Sequence, residues 1–439
     1  MRFRRLAITL CLCGVALAQR SLYEGPTILS RGVGPVIGGG GELIRLRPFI
    51  GVNGIYDSGL TPVSVDSEGR LLEDDAYGAE VHFGALGYHT WRRTVLGLDY
   101  RGNVRHYTQK TYYDGSDHQL SLGVTHQFSR RWAVSFREAA GSYSRNYGLL
   151  GGLGYFDREF ANTPADELFD GRTYYASTMG DLTFYKSPRL SFNMGGTGFV
   201  VRRRSQSLVG VTGANARGDI AWRVSRRHVI GVDYGFNHYE FTRGFGGADF
   251  HSAAFNWSVE FGRRWQFGIR AGGARVEVLG LRYVAVDPVI AAIIGQATGI
   301  EAYHALNYVS QGDVRLMRSF QRSNVTLYYS RGLDPGNGIF LTSQRDSVGF
   351  NYSHTFSRRW NVGVNAGYGG YSGLGQGLGK YRSVEGGGGF ACQLSRSLHL
   401  VGHVAARDYE VRESTLKRTH LRGTIGFSFS PGDLPLSLW

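Results

Sequence analysis

Ser129-Arg130-Arg131-Trp132 and Ser357-Arg358-Arg359-Trp360 are the same tetrad at two distant places in the chain, and their recurrence decides how the rest is read. Gly262-Arg263-Arg264-Trp265 and Ser225-Arg226-Arg227-His228 are close variants. Looser copies stand at Trp91-Arg92-Arg93, Lys186-Ser187-Pro188-Arg189, Arg322-Ser323-Asn324 and Ser395-Arg396-Ser397. Each is a short polar break between two segments of alternating apolar and polar residues, which is the signature of a hairpin turn. Copies follow one another at about 36 to 39 residues, stretching to about 57 to 59 in two places. One period holds two strands of roughly ten residues, a tight turn and a longer loop.

The alternation itself is regular. After Arg93, Leu96, Leu98, Tyr100 and Val104 share one face, and Gly97, Asp99, Arg101, Asn103 and Arg105 share the other. After Arg227, Ile230, Val232, Tyr234 and Phe236 oppose Gly231, Asp233, Gly235 and Asn237. After Arg359, Trp360, Val362, Val364 and Ala366 oppose Asn361, Gly363 and Asn365. Successive side chains of a strand point to opposite faces, so each segment has one apolar face and one face of polar residues and glycine. Eight turns imply sixteen strands. One more precedes the first hairpin, around Arg47 to Tyr56, and a last runs from about Lys417 to Phe429. The expectation is an all-β chain forming one closed antiparallel transmembrane barrel of about 18 strands, with 16 the next count. Both ends would then lie at the rim of the short turns.

Composition agrees. The chain has 65 glycines, 26 tyrosines and 25 phenylalanines but only 10 prolines, and charged residues make up 19%. That is rich in strand and turn formers and poor in helix formers. Arg2, Arg4 and Arg5, the apolar run Leu6 to Leu17 and the small residues Ala16 and Ala18 have the layout of a secretory signal over residues 1–18. Residues 19–46 then read as an N-terminal periplasmic segment and 47–439 as the barrel. Only about 28 residues would precede the first strand after cleavage, too few for a plug domain. Cys392 is the one cysteine left and reads as a small buried apolar residue. The net charge of +14 comes without a basic helix, zinc-finger spacing or ribonucleoprotein motif, so no nucleic-acid partner is expected.

At the end of the chain Leu421, Ile425, Phe427 and Phe429 alternate with Arg422, Thr424, Gly426 and Ser428, and the last residue is the aromatic Trp439. This resembles the C-terminal strand by which Gram-negative outer-membrane barrels, the porin-like class among them, are recognised for assembly. Pro431-Gly432-Asp433 departs from that pattern by ending the strand before Trp439. The resemblance implies a place in the outer membrane, with membrane lipids and the assembly machinery as partners; a homo-oligomer is compatible with it.

A barrel this wide leaves an aqueous channel unless something plugs it. The leading expectation is therefore passive or weakly selective diffusion of small hydrophilic solutes. The inner face should carry Asp99, Arg101, Arg105, Asp233, Arg270, Asn361, Asn365, His399, His403 and Arg407, and with them Arg137, Arg275 and Arg422. An arginine-rich lumen would favour anions; alternatively these arginines pair with acids such as Asp99 and Asp233 and stiffen the wall. Trp132, Trp265 and Trp360 should form an interfacial girdle beside the turns, with Tyr107, Tyr143, Tyr239 and Tyr409 at the opposite strand ends. Two loops are long, 145–172 and 278–300. Asp287-Pro288 in the second, and Thr163-Pro164 in the first, look like capped starts of short helices. Either loop could fold into the lumen or lie outside it. The other readings are a barrel serving as surface receptor, adhesin or envelope anchor, and, less favoured, an outer-membrane lipase or protease. No compact Ser/His/Asp set, no metal-ligand spacing and no phosphate loop is present in the sequence, so no catalytic residue, cofactor or metal is expected.

Overall fold

The structure, a computed structural model, describes residues 47–60, 74–109, 111–144, 172–204, 206, 209–262, 264–334, 342–357, 359–374, 380–411 and 417–431. The loop 145–171 and its expected helix lie outside these, as do residues 1–46 and Trp439. The strands are β1 (Arg47–Leu60), β2 (Asp74–Thr90), β3 (Thr94–Tyr107), β4 (Gly115–Gln127), β5 (Trp132–Ser144) and β6 (Arg172–Tyr185). There follow β7 (Leu190–Arg203), β8 (Gly210–Arg223), β9 (His228–Thr242), β10 (Gly247–Phe261), β11 (Trp265–Ala285) and β12 (Thr298–Ser319). The last six are β13 (Ser323–Asp334), β14 (Ser343–Thr355), β15 (Trp360–Gly373), β16 (Tyr381–Gln393), β17 (Leu398–Val411) and β18 (Lys417–Phe429). Every strand pairs antiparallel with its sequence neighbours, and β1 pairs with β18 from Ile50–Phe429 to Ser58–Leu421. The 18-stranded sheet therefore closes on itself and leaves no edge, as the repeat count requires.

The recurring tetrads are the short connections between β2k and β2k+1, and their chemistry explains why they recur. In five of them a serine hydroxyl oxygen, on Ser129, Ser187, Ser225, Ser357 or Ser395, accepts from the backbone N–H groups two and three residues on, at 3.0 to 3.4 Å. The side chain thus satisfies donors that the turn would otherwise leave to water. Gly262 reaches its turn differently, with φ +66, a backbone angle that serine adopts poorly. The carbonyls of Arg131, Arg227 and Arg359 in turn accept from Tyr185, Glu260 and Gln393, at the end of the strand next door. The short-turn rim is thus tied sideways as well as within each hairpin.

The two faces separate as the alternation implies. Val232, Ile425, Phe427, Phe136 and Ile50 are half or nearly half exposed, whereas Asp99, Arg105, Asp57, Arg137 and Asp181 on the other face are buried. In a closed barrel the buried face is the concave one, and the exposed apolar face meets lipid. Leu96, Leu98, Ile230, Val362 and Val364 lie on the outer face by the same parity. Among the described residues no helix is long and apolar enough to cross a membrane; the crossing is by strands.

The outer apolar band has a definite height. On β9 it runs through Ile230, Val232, Tyr234 and Phe236 and gives way to His238 and Glu240. On β11 it runs from Trp265 to Gly273 and gives way to Arg275 and Glu277. About nine residues of tilted strand span the ~25 Å of apolar band that such barrels show. Above that line the outer face is polar: His238 hydrogen-bonds Asp249 at 2.7 Å, and Arg275 pairs with Glu277.

Three expectations need correction here. Arg275 is on the outer face, because it lies an odd number of residues from the inward Arg270. Tyr107, Tyr143 and Tyr239 do stand at the long-loop ends of their strands, but they point inward and are buried, so they form no lipid-facing girdle. The outer aromatics at that height are instead Tyr77, Tyr174 and Tyr308. Finally, the inner face is not polar throughout. In the half of β5 to β12 nearest the long loops it is an apolar cluster that includes Tyr143, Tyr175, Val201, Val211, Tyr239, Phe241, Phe250 and Val276. The reason is that these strands rise above the lipid there, so water bathes the outside and the apolar residues turn in.

The second long loop is mostly strand. β11 and β12, at 21 and 22 residues, project past their neighbours and carry the expected helix, α1 (Pro288–Ile294), at the tip. Asp287 caps it by accepting from the Val289 N–H, and Gly295 ends it at φ +70.

Part of the glycine content has a packing cause. Aromatic rings of adjacent strands occupy the space a side chain would take at some glycines: Phe390 at Gly402, and Phe199 with Tyr239 at Gly213. A Cβ at Gly213 would stand 2.5 Å from Tyr239 Cδ1 and 2.6 Å from Phe199 Cζ, so both rings would have to move. Gly213→Ala should therefore cost about 1–3 kcal/mol of overpacking. Urea unfolding in lipid vesicles measures it; a cost near zero would mean the rings move freely.

Candidate functional site

Among the described residues, the inner wall is the surface that a solute inside the barrel would touch, so its side chains are the candidate site. Alternation brings Asp99, Arg101 and Arg105 on β3 to one face, and register sets their partners across the strands. Arg101 grips Asp99 with two hydrogen bonds, at 2.8 and 3.1 Å. Arg105, almost fully buried, donates to Asp117 on β4 at 2.6 Å.

Beside it lies the barrel's closing seam. Asp57 on β1 has no exposure and is held from two other strands, β3 and β18. Tyr107 donates to it at 2.6 Å, His420 stands at 3.3 Å and Arg422 at 3.6 Å. Arg422 also bonds Glu80 on β2. The network therefore runs β4–β3 and β2–β1–β18, across the joint between the first and last strands. Burial of each ion is offset by the closeness of its oppositely charged partners.

A second belt lies nearer the short-turn rim on the opposite wall. Arg217 on β8 reaches across β7 to both oxygens of Asp181 on β6, at 2.7 and 2.8 Å, while Asn193 on β7 bonds the same carboxylate at 3.2 Å. Asp233 on β9 accepts from Arg270 on β11 at 2.7 and 3.0 Å and from Asn256 on β10 between them. Arg270 extends the chain to Asp313 on β12 at 3.5 Å. Charge-assisted, two-pronged contacts of this kind fix geometry as well as energy. Above this belt stands the apolar cluster, where the Tyr143 and Tyr175 rings stack at 5.5 Å and Tyr143 donates to the Tyr175 hydroxyl at 3.1 Å.

The remaining expected wall residues are spread out. His399 and Arg407 are buried on the inner face of β17, His403 is half-buried between them, and Arg407 stands in register with Glu385. Asn361 and Asn365 share the inner face of β15. Arg137 is buried on β5 and donates to Ser121. Sequence reasoning missed Asp57, Glu80, Asp117, Asp181, Arg217 and His420. Their parity was readable, since His420 is two residues from Arg422, but which acid meets which arginine depends on register. Trp132 and Trp360 are each over 40% exposed on the outer face just past their turns. Trp265, there too, has the Arg318 guanidinium 4.6 Å from its ring centre.

No protein-family model matches the chain, and no curated protein matches it in sequence. Among solved structures it is similar to OccK2 (OpdF) of Pseudomonas aeruginosa, at 10% identity and TM-score 0.42, over 88% of this chain and 98% of that one. It is also similar to the outer membrane protein OpdK of the same organism, at 12% identity and TM-score 0.41, over 88% of this chain and 99% of that one. The siderophore receptor PirA of Pseudomonas aeruginosa is similar at 9% identity and TM-score 0.36, over 88% of this chain and 80% of that one. Likeness at this level transfers no property from those proteins to this chain.

Proposed function

We propose that the chain is an outer-membrane channel through which small hydrophilic solutes diffuse, with a weak preference for anions. One observation carries the reading: a closed 18-strand barrel whose inner wall is belted with ion pairs while its outer wall is apolar. With strands about 4.8 Å apart and tilted roughly 35–45°, eighteen of them give a backbone diameter of about 35–40 Å. That is too wide for wall side chains to meet across it, and a wall of charged groups favours water over hydrocarbon inside.

The pairing of wall arginines with acids argues against strong selectivity. Arg101 beside Asp99 and Arg105 beside Asp117 compensate charge rather than creating an excess. Purified protein in planar bilayers should conduct, and the reversal potential should favour chloride over potassium only slightly. Arg101→Ser with Arg105→Ser uncovers both carboxylates and should move the preference toward potassium. A wild-type pore that prefers cations would overturn the anion preference, and a protein that never conducts would overturn the channel.

A binding role is the second reading, and α1 favours it. Val289 and Ile293 on that helix are 70% and 79% exposed at the tip of the projecting hairpin, where an external partner could seat them. Deleting residues 286–297 should leave conductance unchanged and abolish such binding.

A further inference from the structure

The short turns hold a feature that conduction does not use. Each of the eight presents at least one exposed arginine or lysine, from Arg92 in the first to Arg396 in the last. Among the described residues, Glu260 is the one acid within two positions of any of them. At the opposite rim outer charges include acid–base couples, Arg275 with Glu277 and Arg382 with Glu410, beside exposed Arg202, Arg204 and Lys417. The basic rim also carries exposed tryptophans. Trp91, Trp132, Trp222 and Trp360 are exposed on it, and Arg318 lies over both Trp265 and Phe320. Indole rings settle at headgroup depth, which puts these basic side chains level with lipid phosphates.

We propose that the short-turn rim is an annular binding surface for net-anionic phospholipid headgroups. The ligand chemistry follows from the donors. Guanidinium groups offer paired N–H donors that match two phosphate oxygens, and they keep their charge at any relevant pH. A zwitterionic headgroup brings its own cation beside the phosphate and competes with the arginine; a phosphatidylglycerol headgroup does not. The geometry of the turn leaves these side chains available, because the serine hydroxyl and the backbone carbonyls make the turn's hydrogen bonds. This proposal rests on the membrane-barrel reading but not on conduction.

Five tryptophans at the rim, Trp91, Trp132, Trp222, Trp265 and Trp360, make a native reporter. The protein is folded into phosphatidylcholine vesicles containing a minor fraction of bromine-labelled phosphatidylglycerol, or the same fraction of bromine-labelled phosphatidylcholine. Bromine quenches indole fluorescence on contact, so the two quenching curves give the local lipid ratio. At roughly 1 kcal/mol per basic side chain, phosphatidylglycerol should be enriched about fivefold around the rim. The enrichment should shrink as salt shortens the Debye length. In the variant R92Q/R130Q/R264Q/R359Q it should fall to about twofold or less. The salt series needs no variant, so it tests the proposal even if that variant folds poorly. Equal quenching by both lipids, or a preference unmoved by salt and by the substitutions, would overturn the proposal. Loss of lipid preference with retained sedimentation on peptidoglycan sacculi would overturn it in favour of an anionic glycan. Failure of either lipid to quench would instead sink the membrane reading itself.

Discussion

Arg422→Ala should destabilise the barrel by about 3–5 kcal/mol, one of the two largest effects expected of any single substitution in this chain. The guanidinium sits on the inner face of β18 with its side chain 6% exposed and lies against Asp57 and Glu80, exposed 0% and 9%. Removing it leaves two carboxylates packed together without their cation, and that is the costly half of breaking a buried pair. The location multiplies the consequence, since these contacts join the last strand to the first two. Equilibrium urea unfolding in vesicles gives the number. The double replacement Asp57→Asn and Glu80→Gln on the Arg422→Ala background should recover part of the loss, because neutral amides need no counter-ion. A loss under about 1 kcal/mol, or no recovery, would mean that backbone pairing alone closes the seam.

The second large effect is on the other face. Val232→Arg places a cation on the lipid side of β9, midway between the turn at Ser225 and the polar boundary at His238, at a position 52% exposed. A basic residue at that depth costs about 2–4 kcal/mol. Asn237→Ser, inward and near the boundary, should cost far less. The same unfolding measurement compares them, and equal costs would contradict the assignment of faces.

Much of this architecture is written in short-range pattern. The Ser-Arg-Arg-Trp turns count the strands because the serine hydroxyl closes the turn locally, within four residues. Alternation names the inner and outer residues because strand geometry has a period of two wherever the ladder is regular. The capped helix after Asp287 was legible for the same reason, since N-capping is a contact between near neighbours. Arg275 is an arginine like those of the wall, but its odd separation from Arg270 puts it on the outer face.

What only the tertiary structure decided is everything that depends on register and on height. Sequence could not say that Asp57 meets Arg422, because that contact joins residues at opposite ends of the chain and exists only once the barrel closes. It could not say that Asp181 is held from two strands away by Arg217, because the contact crosses β7. Nor could it show that Tyr143, Tyr175 and Tyr239 build an apolar inner wall. Alternation fixes which side of the sheet a residue takes, but not whether lipid or water lies outside at that level. Along β5 to β12, past the apolar band, His238, Arg275 and Glu277 face outward to water while Tyr143, Tyr175 and Tyr239 turn inward.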